Sequence, residues 1–367
     1  MNVPSDPHQC GKPSEEAVSA ELIRRPMEVN ASSVPKGRYV ADLIETIRKS
    51  ADGLAQDQTS RGDLKILSRT LRELRYAFKV FGPYRHTHKV AVFGSARTPE
   101  SDPCFRQAET FGRAMAEAGW LVVTGAGGGI MEAGHQGAGR DNSMGLNIML
   151  PFEQAANSVV AGDPKLVYMK YFFTRKLVFV KESNAICLLP GGFGTLDEGL
   201  EVLTLLQTGK RDMVPIVFLD APGGTYWRTF LDFVKEHLLD GGMIEPQDLS
   251  LFKLTDRADE AVEEILTFFR VYHSMRYVRE KLVLRLTAAP DEAGMEQIQQ
   301  KFSGILSRGQ FLVSGPLSEE RDEPDLAELP RLVFHFNRRD LGRLRQLIDW
   351  LNANVPPGDS LRSSPSE

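Results

Sequence analysis

The chain has 367 residues, with 44 Lys+Arg against 49 Asp+Glu and a formal net charge of −5. That balance offers no global basic field to drive nonspecific nucleic-acid binding. A hydrophobic fraction of 42% with 25% charged residues excludes a wholly disordered, collagen-like or coiled-coil chain.

At this length two or three domains are expected. Cys10, Cys104 and Cys187 lie far apart and show neither a CxxC pair nor metal-ligand spacing, so they read as buried or incidental thiols and no metal site is expected. The first residues lack the apolar core of a secretory signal, and no uncharged apolar run reaches the ~18 residues of a membrane span. The expectation is a cytoplasmic protein with neither a membrane nor a nucleic acid as partner.

Residues 1–37 are rich in Pro, Ser, Glu and Ala, a composition too poor in large apolar side chains to offset the entropy of ordering, and predict a flexible tail. In residues 38–88 the side chains Leu43, Ile44, Ile47, Leu64, Ile66, Leu67, Leu71, Leu74 and Phe78 recur at three- and four-residue spacing. This is the pattern of amphipathic helices laid on another surface.

Residues 89–275 alternate short apolar runs with helical patterns. The runs are VAVFGS (90–95), WLVVTG (120–125), LNIMLP (146–151), AICLLPG (185–191) and VPIVFLD (214–220), and the helical segments include Phe105–Ala118, closed by Gly119, and Thr195–Gln207. Alternation of this kind predicts an α/β fold: a doubly wound, Rossmann-like parallel sheet with helices on both faces. Residues 276–355 change style. KLVLRL, a helical stretch over 291–306, QFLVSG, RLVFHF and a helix over 341–351 predict a smaller C-terminal α+β unit, with an acidic loop at 318–330. Residues 356–367 read as a second flexible tail.

Glycines cluster directly after three of the strand runs, where doubly wound sheets bind ligands. After the first come Gly94, Ser95 and Arg97; after the second, Gly125, Gly127, Gly128 and Gly129 lead into a helix carrying Glu132. A glycine run at a helix start exposes backbone N–H groups to an anion, and equally allows close packing of the helix on the sheet. The second run is not the dinucleotide fingerprint, because the following strand run carries no acidic residue. After the fourth strand run, Gly191, Gly192, Phe193, Gly194 and Thr195 open a helix in which Asp197 and Glu198 are expected in the first turn. Upstream, Arg175 and Lys176 fall early in a helix, where cations are locally unfavourable and point to an anionic partner.

TGAGGGIMEAGHQGA, GLNIMLPFEQAAN, the Arg175-Lys176 pair and PGGFGTLDEGLEVLTLLQTGK together resemble the Lonely Guy (LOG) family of nucleoside 5′-monophosphate phosphoribohydrolases, formerly labelled lysine decarboxylases, and its longer bacterial members in particular. The resemblance covers residues 89–270. It implies that Arg175 and Glu198 form the catalytic pair and that Lys176, Gly191, Gly192, Gly194, Thr195, Asp197 and Thr204 line the nucleotide site; Phe193 and, from the other two glycine loops, Gly94, Ser95, Gly127, Gly128, Gly129 and Glu132 are expected beside them. The run GAGGGIME departs from the GGGPGIME of many members, which should loosen the loop without removing its donors.

The implied reaction is hydrolysis of an N-glycosidic bond, of AMP or a cytokinin riboside monophosphate, to free base and ribose 5-phosphate, with no metal or other cofactor. The resemblance also implies a homodimer or higher homo-oligomer, for which the apolar helix Leu200–Leu206 could supply surface. A non-catalytic nucleotide sensor or carrier is the alternative. A literal lysine decarboxylase needs a Schiff-base lysine for pyridoxal phosphate, and no lysine stands in a recognisable setting for one. Among the remaining candidates, His135 is expected to be a satisfied or surface histidine. His86 and His88 are expected to face solvent, Phe172 and Phe173 to pack in a helix core, and Met131 and Met144 to fill the core.

Overall fold

The computed structural model describes residues 38–150 and 155–358. The predicted tail 1–37 with Cys10, nearly all of the tail 356–367, and residues 151–154 of the LNIMLPFEQ stretch lie outside the described residues.

The described chain divides into two compact units that meet between Phe78 and Lys79. The first contains helix α1 (Arg38–Gln56) and most of helix α2 (Arg61–Phe81). Ser60 starts α2 by accepting the N–H of Asp63 at 3.2 Å and donating to its carboxylate at 2.7 Å, a reciprocal cap that satisfies helix-start groups. The helices are where the periodicity predicts them, but Leu43, Ile44, Ile47, Leu64, Leu67 and Leu71 are exposed.

The second unit opens with β1 (Lys89–Phe93), α3 (Pro103–Glu117), β2 (Leu121–Thr124), α4 (Ile130–Ala138), β3 (Ser143–Ile148), β4 (Leu166–Met169) and α5 (Phe172–Glu182). It continues with β5 (Ala185–Leu188), α6 (Phe193–Gln207), β6 (Ile216–Leu219), α7 (Tyr226–Phe233), β7 (Lys253–Thr255) and α8 (Ala258–Phe268). The seven strands form one sheet in the order β4-β3-β2-β1-β5-β6-β7, parallel at every pairing. The inner strands are buried along their whole length, which is why they read as unbroken apolar runs.

On one face Val90, Val92, Val122, Cys187 and Val217 pack with Phe105, Phe111 and Met115 of α3, Ile130 of α4 and Ile265 of α8. On the other, Phe93 meets Phe179 of α5 edge-on at 4.8 Å, and α6 comes so close to β5 that a Cβ at Gly199 would overlap Leu188. Helix α3 is capped by Asp102, which accepts the N–H of Cys104 at 2.8 Å, with Pro103 in its first turn. Gly119 follows it with φ +80°, the left-handed conformation common just past helix ends.

The sequence reading omitted β4, β7 and the first strand of the next sheet. Both β4 and β7 are edge strands, of four and three residues, and the KLT of β7 is too short and too mixed in polarity to give a buried-strand signal. The strand order also fixes where a ligand belongs. After β1 the chain moves outward to β4 and then returns to lay β5 on the other side of β1, so a crevice opens between the carboxyl ends of β1 and β5.

The remaining elements are β8 (Tyr272–Val278), β9 (Lys281–Leu286), α9 (Glu292–Phe302), β10 (Leu306–Ser314), β11 (Arg331–Phe336) and α10 (Leu341–Asn354). They form a four-stranded antiparallel sheet ordered β10-β11-β9-β8 with two helices. The acidic stretch before β11 turns inward. Buried Glu320 accepts Arg285 Nη2 at 2.7 Å, Arg331 Nε at 3.3 Å and the N–H of Leu317 at 3.0 Å. Asn352 of α10 accepts the N–H groups of Val271 and Tyr272 and donates to Phe268 O, so one amide splices the end of α8 to the start of β8. Among the described residues no helix is long and apolar enough to cross a membrane.

Candidate functional site

The three glycine loops meet at the β1/β5 crevice, and Ser95 stitches them together. Its N–H donates to Pro190 O at 3.1 Å and its carbonyl accepts the N–H of Ile130 at 3.0 Å. Glycine is obligatory at two of these contacts: a Cβ at Gly191 would overlap Thr195 Oγ1, and one at Gly129, where φ is +61°, would overlap Ser95 O. The exposed Arg97 uses its N–H on Ser95 Oγ at 3.1 Å.

The second loop is held from behind. Thr124 Oγ1 accepts the N–H of Ala126 at 2.9 Å, and Asn157 donates from its side chain to Gly127 O at 3.0 Å and from its backbone to Ala126 O at 2.8 Å. Asn157 Nδ2 also lies 3.2 Å from His135 Nδ1, while His135 Nε2 lies 3.0 Å from Met144 O and 3.2 Å from Thr124 Oγ1. Burial pushes the His135 pKa down to about 4, so this ring is a neutral bracket behind the loop. Glu132, in the first turn of α4, accepts the Ser158 hydroxyl at 3.2 Å.

Charge enters from α5 and α6. Arg175 Nη2 lies 3.7 Å from Glu198 Oε1. Lys176 Nζ lies 2.8 Å from Asp197 Oδ2, 3.4 Å from Glu198 Oε2 and 2.9 Å from Glu201 Oε2. Glu198 is buried. Burial raises its pKa above the usual carboxylate value, against the opposing pull of Lys176 and Arg175. Arg175 is shifted down by burial against the pull of Glu198 and Asp197. Burial would also lower Lys176, yet hydrogen bonds to Asp197 and Glu201 hold it above the ordinary amine value.

The Arg175 guanidinium rests over the Phe172 ring at 5.0 Å, and its Nη1 borders the site a Cβ on Gly125 would occupy. The second loop and the charged cluster therefore share a wall. Arg175 Nε is buried with no hydrogen-bond partner among the described residues, a donor edge that an anion could engage.

Several expectations need correction. Helix α6 begins at Phe193 with Gly192 as its cap, so Asp197 and Glu198 fall in its second turn. Phe172 and Phe173 are 52% and 53% exposed rather than packed in a core. Met144 is buried as expected, but Met131 is only half-buried, with its sulfur over Gly125. Apart from these corrections, Phe193 is 92% exposed on α6, and Thr204 of the same helix is exposed with its hydroxyl donating to Leu200 O at 2.8 Å.

Two residues at the site were missed. Glu201 stands one helical turn beyond Asp197 and Glu198, a spacing that places it on their face and could have found it. Tyr226, whose hydroxyl donates to Gly191 O at 2.6 Å, left no local signal. Two further cavities lie away from the crevice. One of about 450 Å³ is bordered by Gln107, Pro222 and Arg257, the other of about 290 Å³ by Gln207, Asp248 and Arg339. Neither joins glycine-loop donors to a cation paired with a buried carboxylate, as the crevice does, so the crevice is the candidate site.

Fold and crevice define a Rossmann-like α/β protein whose strand-end glycine loops lie beside an arginine–lysine–carboxylate cluster centred on buried Glu198. Residues 129–265 match the family described as "Possible lysine decarboxylase", a segment that contains both the Arg175-Lys176 pair and the PGGFGTLDE run. A cytokinin riboside 5′-monophosphate phosphoribohydrolase of Arabidopsis thaliana is 35% identical over 91 residues, 25% of this chain and 40% of the relative. A "Probable cytokinin riboside 5′-monophosphate phosphoribohydrolase" of Oryza sativa subsp. japonica is 30% identical over 136 residues, 37% of this chain and 52% of the relative. The chain thus spans about two fifths to one half of the length of these relatives. Among solved structures, a molybdenum cofactor binding protein of Rippkaea orientalis is similar over 49% of this chain and 96% of its own, at 16% identity and a TM-score of 0.34.

Proposed function

We propose that the chain hydrolyses the N-glycosidic bond of a nucleoside 5′-monophosphate such as AMP or a cytokinin riboside monophosphate, giving free base and ribose 5-phosphate. The observation that carries this reading is the buried Glu198, its pKa raised, lying 3.7 Å from Arg175 beside the glycine loops. A carboxylate next to an anion-binding loop is electrostatically costly for a passive phosphate binder. It is useful to a reaction that builds positive charge on a sugar.

In this reading the N–H groups at the start of α6 hold the 5′-phosphate and fix the register of the ribose. Glu198 offsets the charge growing at the anomeric carbon and takes a proton from the attacking water as the new C–O bond forms. The base leaves with the electron pair of the broken C–N bond and takes up a proton, and Arg175 meets either the phosphate or the departing base. Lys176, held protonated by Asp197 and Glu201, is a poor candidate for a Schiff-base amine, which supports the hydrolase over a decarboxylase. Exposed Phe173, Leu177, Phe193 and Leu200, on the two helices that bear the charged cluster, support a homodimer or higher homo-oligomer built there. A cytoplasmic location accords with a metabolite substrate.

The test is incubation with a panel of nucleoside 5′-monophosphates, their phosphate-free nucleosides and cytokinin riboside monophosphates, followed by chromatography for free base. Release from the monophosphates alone is expected, and Glu198→Gln should bind nucleotide while losing at least ~100-fold in turnover. No release from any member of the panel, or turnover in Glu198→Gln within a few-fold of wild type, would overturn the reading.

A further inference from the structure

Three successive carbonyls at the end of β5 are tied by three different parts of the fold. Pro190 O accepts from the N–H of Ser95 at 3.1 Å, and Gly192 O accepts from the N–H groups of Thr195 and Leu196 at 3.0 and 3.2 Å. Between them, Gly191 O accepts from the Tyr226 hydroxyl at 2.6 Å. The first and last of these bonds are backbone to backbone, so any sequence preserving the fold would keep them. The middle one depends on a single side chain.

The peptide joining Gly191 to Gly192 is flanked by two residues without a Cβ, the arrangement in which a peptide plane rotates at least cost. A trans peptide is planar, with its C=O and N–H pointing in opposite directions. Fixing Gly191 O toward Tyr226 therefore fixes the N–H of Gly192, the cap of α6, toward the other side of the loop. Gly192 is exposed and a Cβ there would meet nothing, so packing on the Gly192 side leaves this plane free to turn. The Tyr226 ring is itself braced edge-on against buried Trp227 at 4.7 Å. We infer that Tyr226 is a positioning residue that orients the Gly191–Gly192 peptide, so that the cap N–H of α6 is preset to meet the phosphate of a nucleoside monophosphate. This rests on the proposed function only in that the ligand carries a phosphate. It assigns Tyr226 no contact with the reacting atoms.

The experiment compares wild type, Tyr226→Phe and Tyr226→Ala in the full chain by calorimetric titration with inorganic phosphate and with AMP, alongside thermal melts and steady-state kinetics. Tyr226→Phe removes only the hydroxyl. It should weaken binding of both ligands by about threefold to tenfold, the effect of one neutral hydrogen bond, with an unchanged melting temperature. Any turnover should then show a raised KM and an almost unchanged kcat. If Tyr226→Phe binds both ligands as wild type does while Tyr226→Ala does not, the ring acts only by packing and the inference is overturned. An effect confined to kcat, or failure of the wild-type protein to bind phosphate or AMP, overturns it as well. Wild-type binding without base release would sink the hydrolase reading and leave the role of Tyr226 standing on the titrations.

Discussion

Lys176 Nζ stands 3.4 Å from Glu198 Oε2 while Arg175 Nη2 stands 3.7 Å from Oε1, so each oxygen of the buried carboxylate faces its own cation. The pKa of Glu198 is the outcome of burial pushing it up and two cations pulling it down. Ionised Glu198 is the active form in the proposed reaction, so kcat/KM should rise with pH through a limb lying above the ordinary carboxylate range. Removing one cation in Lys176→Met should move that limb upward by about one pH unit. A pH–rate profile of the variant superimposing on that of wild type would show that Lys176 does not tune Glu198.

His135 gives the fold a separate dependence on pH. Its pKa is pushed down to about 4 by burial, whereas an unfolded histidine titrates near 6.5. Between those values the unfolded chain binds the extra proton and the folded one does not. Stability should therefore fall as pH drops from about 6.5 to about 4, by on the order of 3 kcal/mol. Denaturant melts across this range should show the slope, and His135→Gln should flatten it.

Two glycines of the loop that opens α6 should respond oppositely to the same substitution. At Gly191 an added Cβ would overlap the Thr195 hydroxyl and crowd the N–H of Ser95, whereas at Gly194 it would meet nothing. Gly191→Ala should lower the melting temperature and abolish nucleotide binding, because the loop must move. Gly194→Ala should fold at least as stably as wild type, since Ala favours a helix over Gly by up to about 1 kcal/mol. Comparable melts for the two variants would contradict the close approach seen at Gly191.

In the antiparallel sheet, Glu320 is the shared acceptor of the buried Arg285 and Arg331. Glu320→Ala leaves two buried guanidinium groups without it and should cost roughly 3–5 kcal/mol. Chemical denaturation of the variant against wild type would measure this, and a loss below about 1 kcal/mol would indicate that the acidic stretch rearranges around the gap.

The parts of this architecture that sequence made legible are those that one segment declares by itself. Strands buried on both faces must be apolar throughout, so β1, β2, β5 and β6 stood out; β4 and β7, at the edges of the sheet, did not. The glycine loops and the Arg175-Lys176 and Asp197-Glu198 pairs were visible because the helix starts and strand ends that carry them have their own residue grammar. Which of these groups would meet was harder to read. The first turn expected for Glu198 proved to be the second, because the helix begins at Phe193, two residues before the Thr195 at which the helical segment was expected to start. The exposure of Phe172 and Phe173 was hidden because helical periodicity does not tell a core face from a bare one. Tyr226 reaches Gly191 only through the placement of α7, a tertiary relation with no footprint in either local segment. The inward-turned Glu320 belongs to the same kind, for nothing in an acidic stretch announces that one of its members will be buried.

The central position of β1 has a consequence for synthesis on the ribosome. Lys89 donates its backbone N–H to the side chain of Asn184, 95 positions further on, and β1 gains its second neighbour only when β5 arrives. A nascent chain that has emerged as far as β4 possesses one wall of the crevice and an open flank of β1 where the other belongs. Until β5 arrives that flank is an unpaired apolar edge, the kind of surface on which partly made chains associate. The interval in which residues 94–184 emerge is therefore when this protein is most exposed to aggregation, and slowing translation there should lower the yield of folded protein more than the same delay placed after β6.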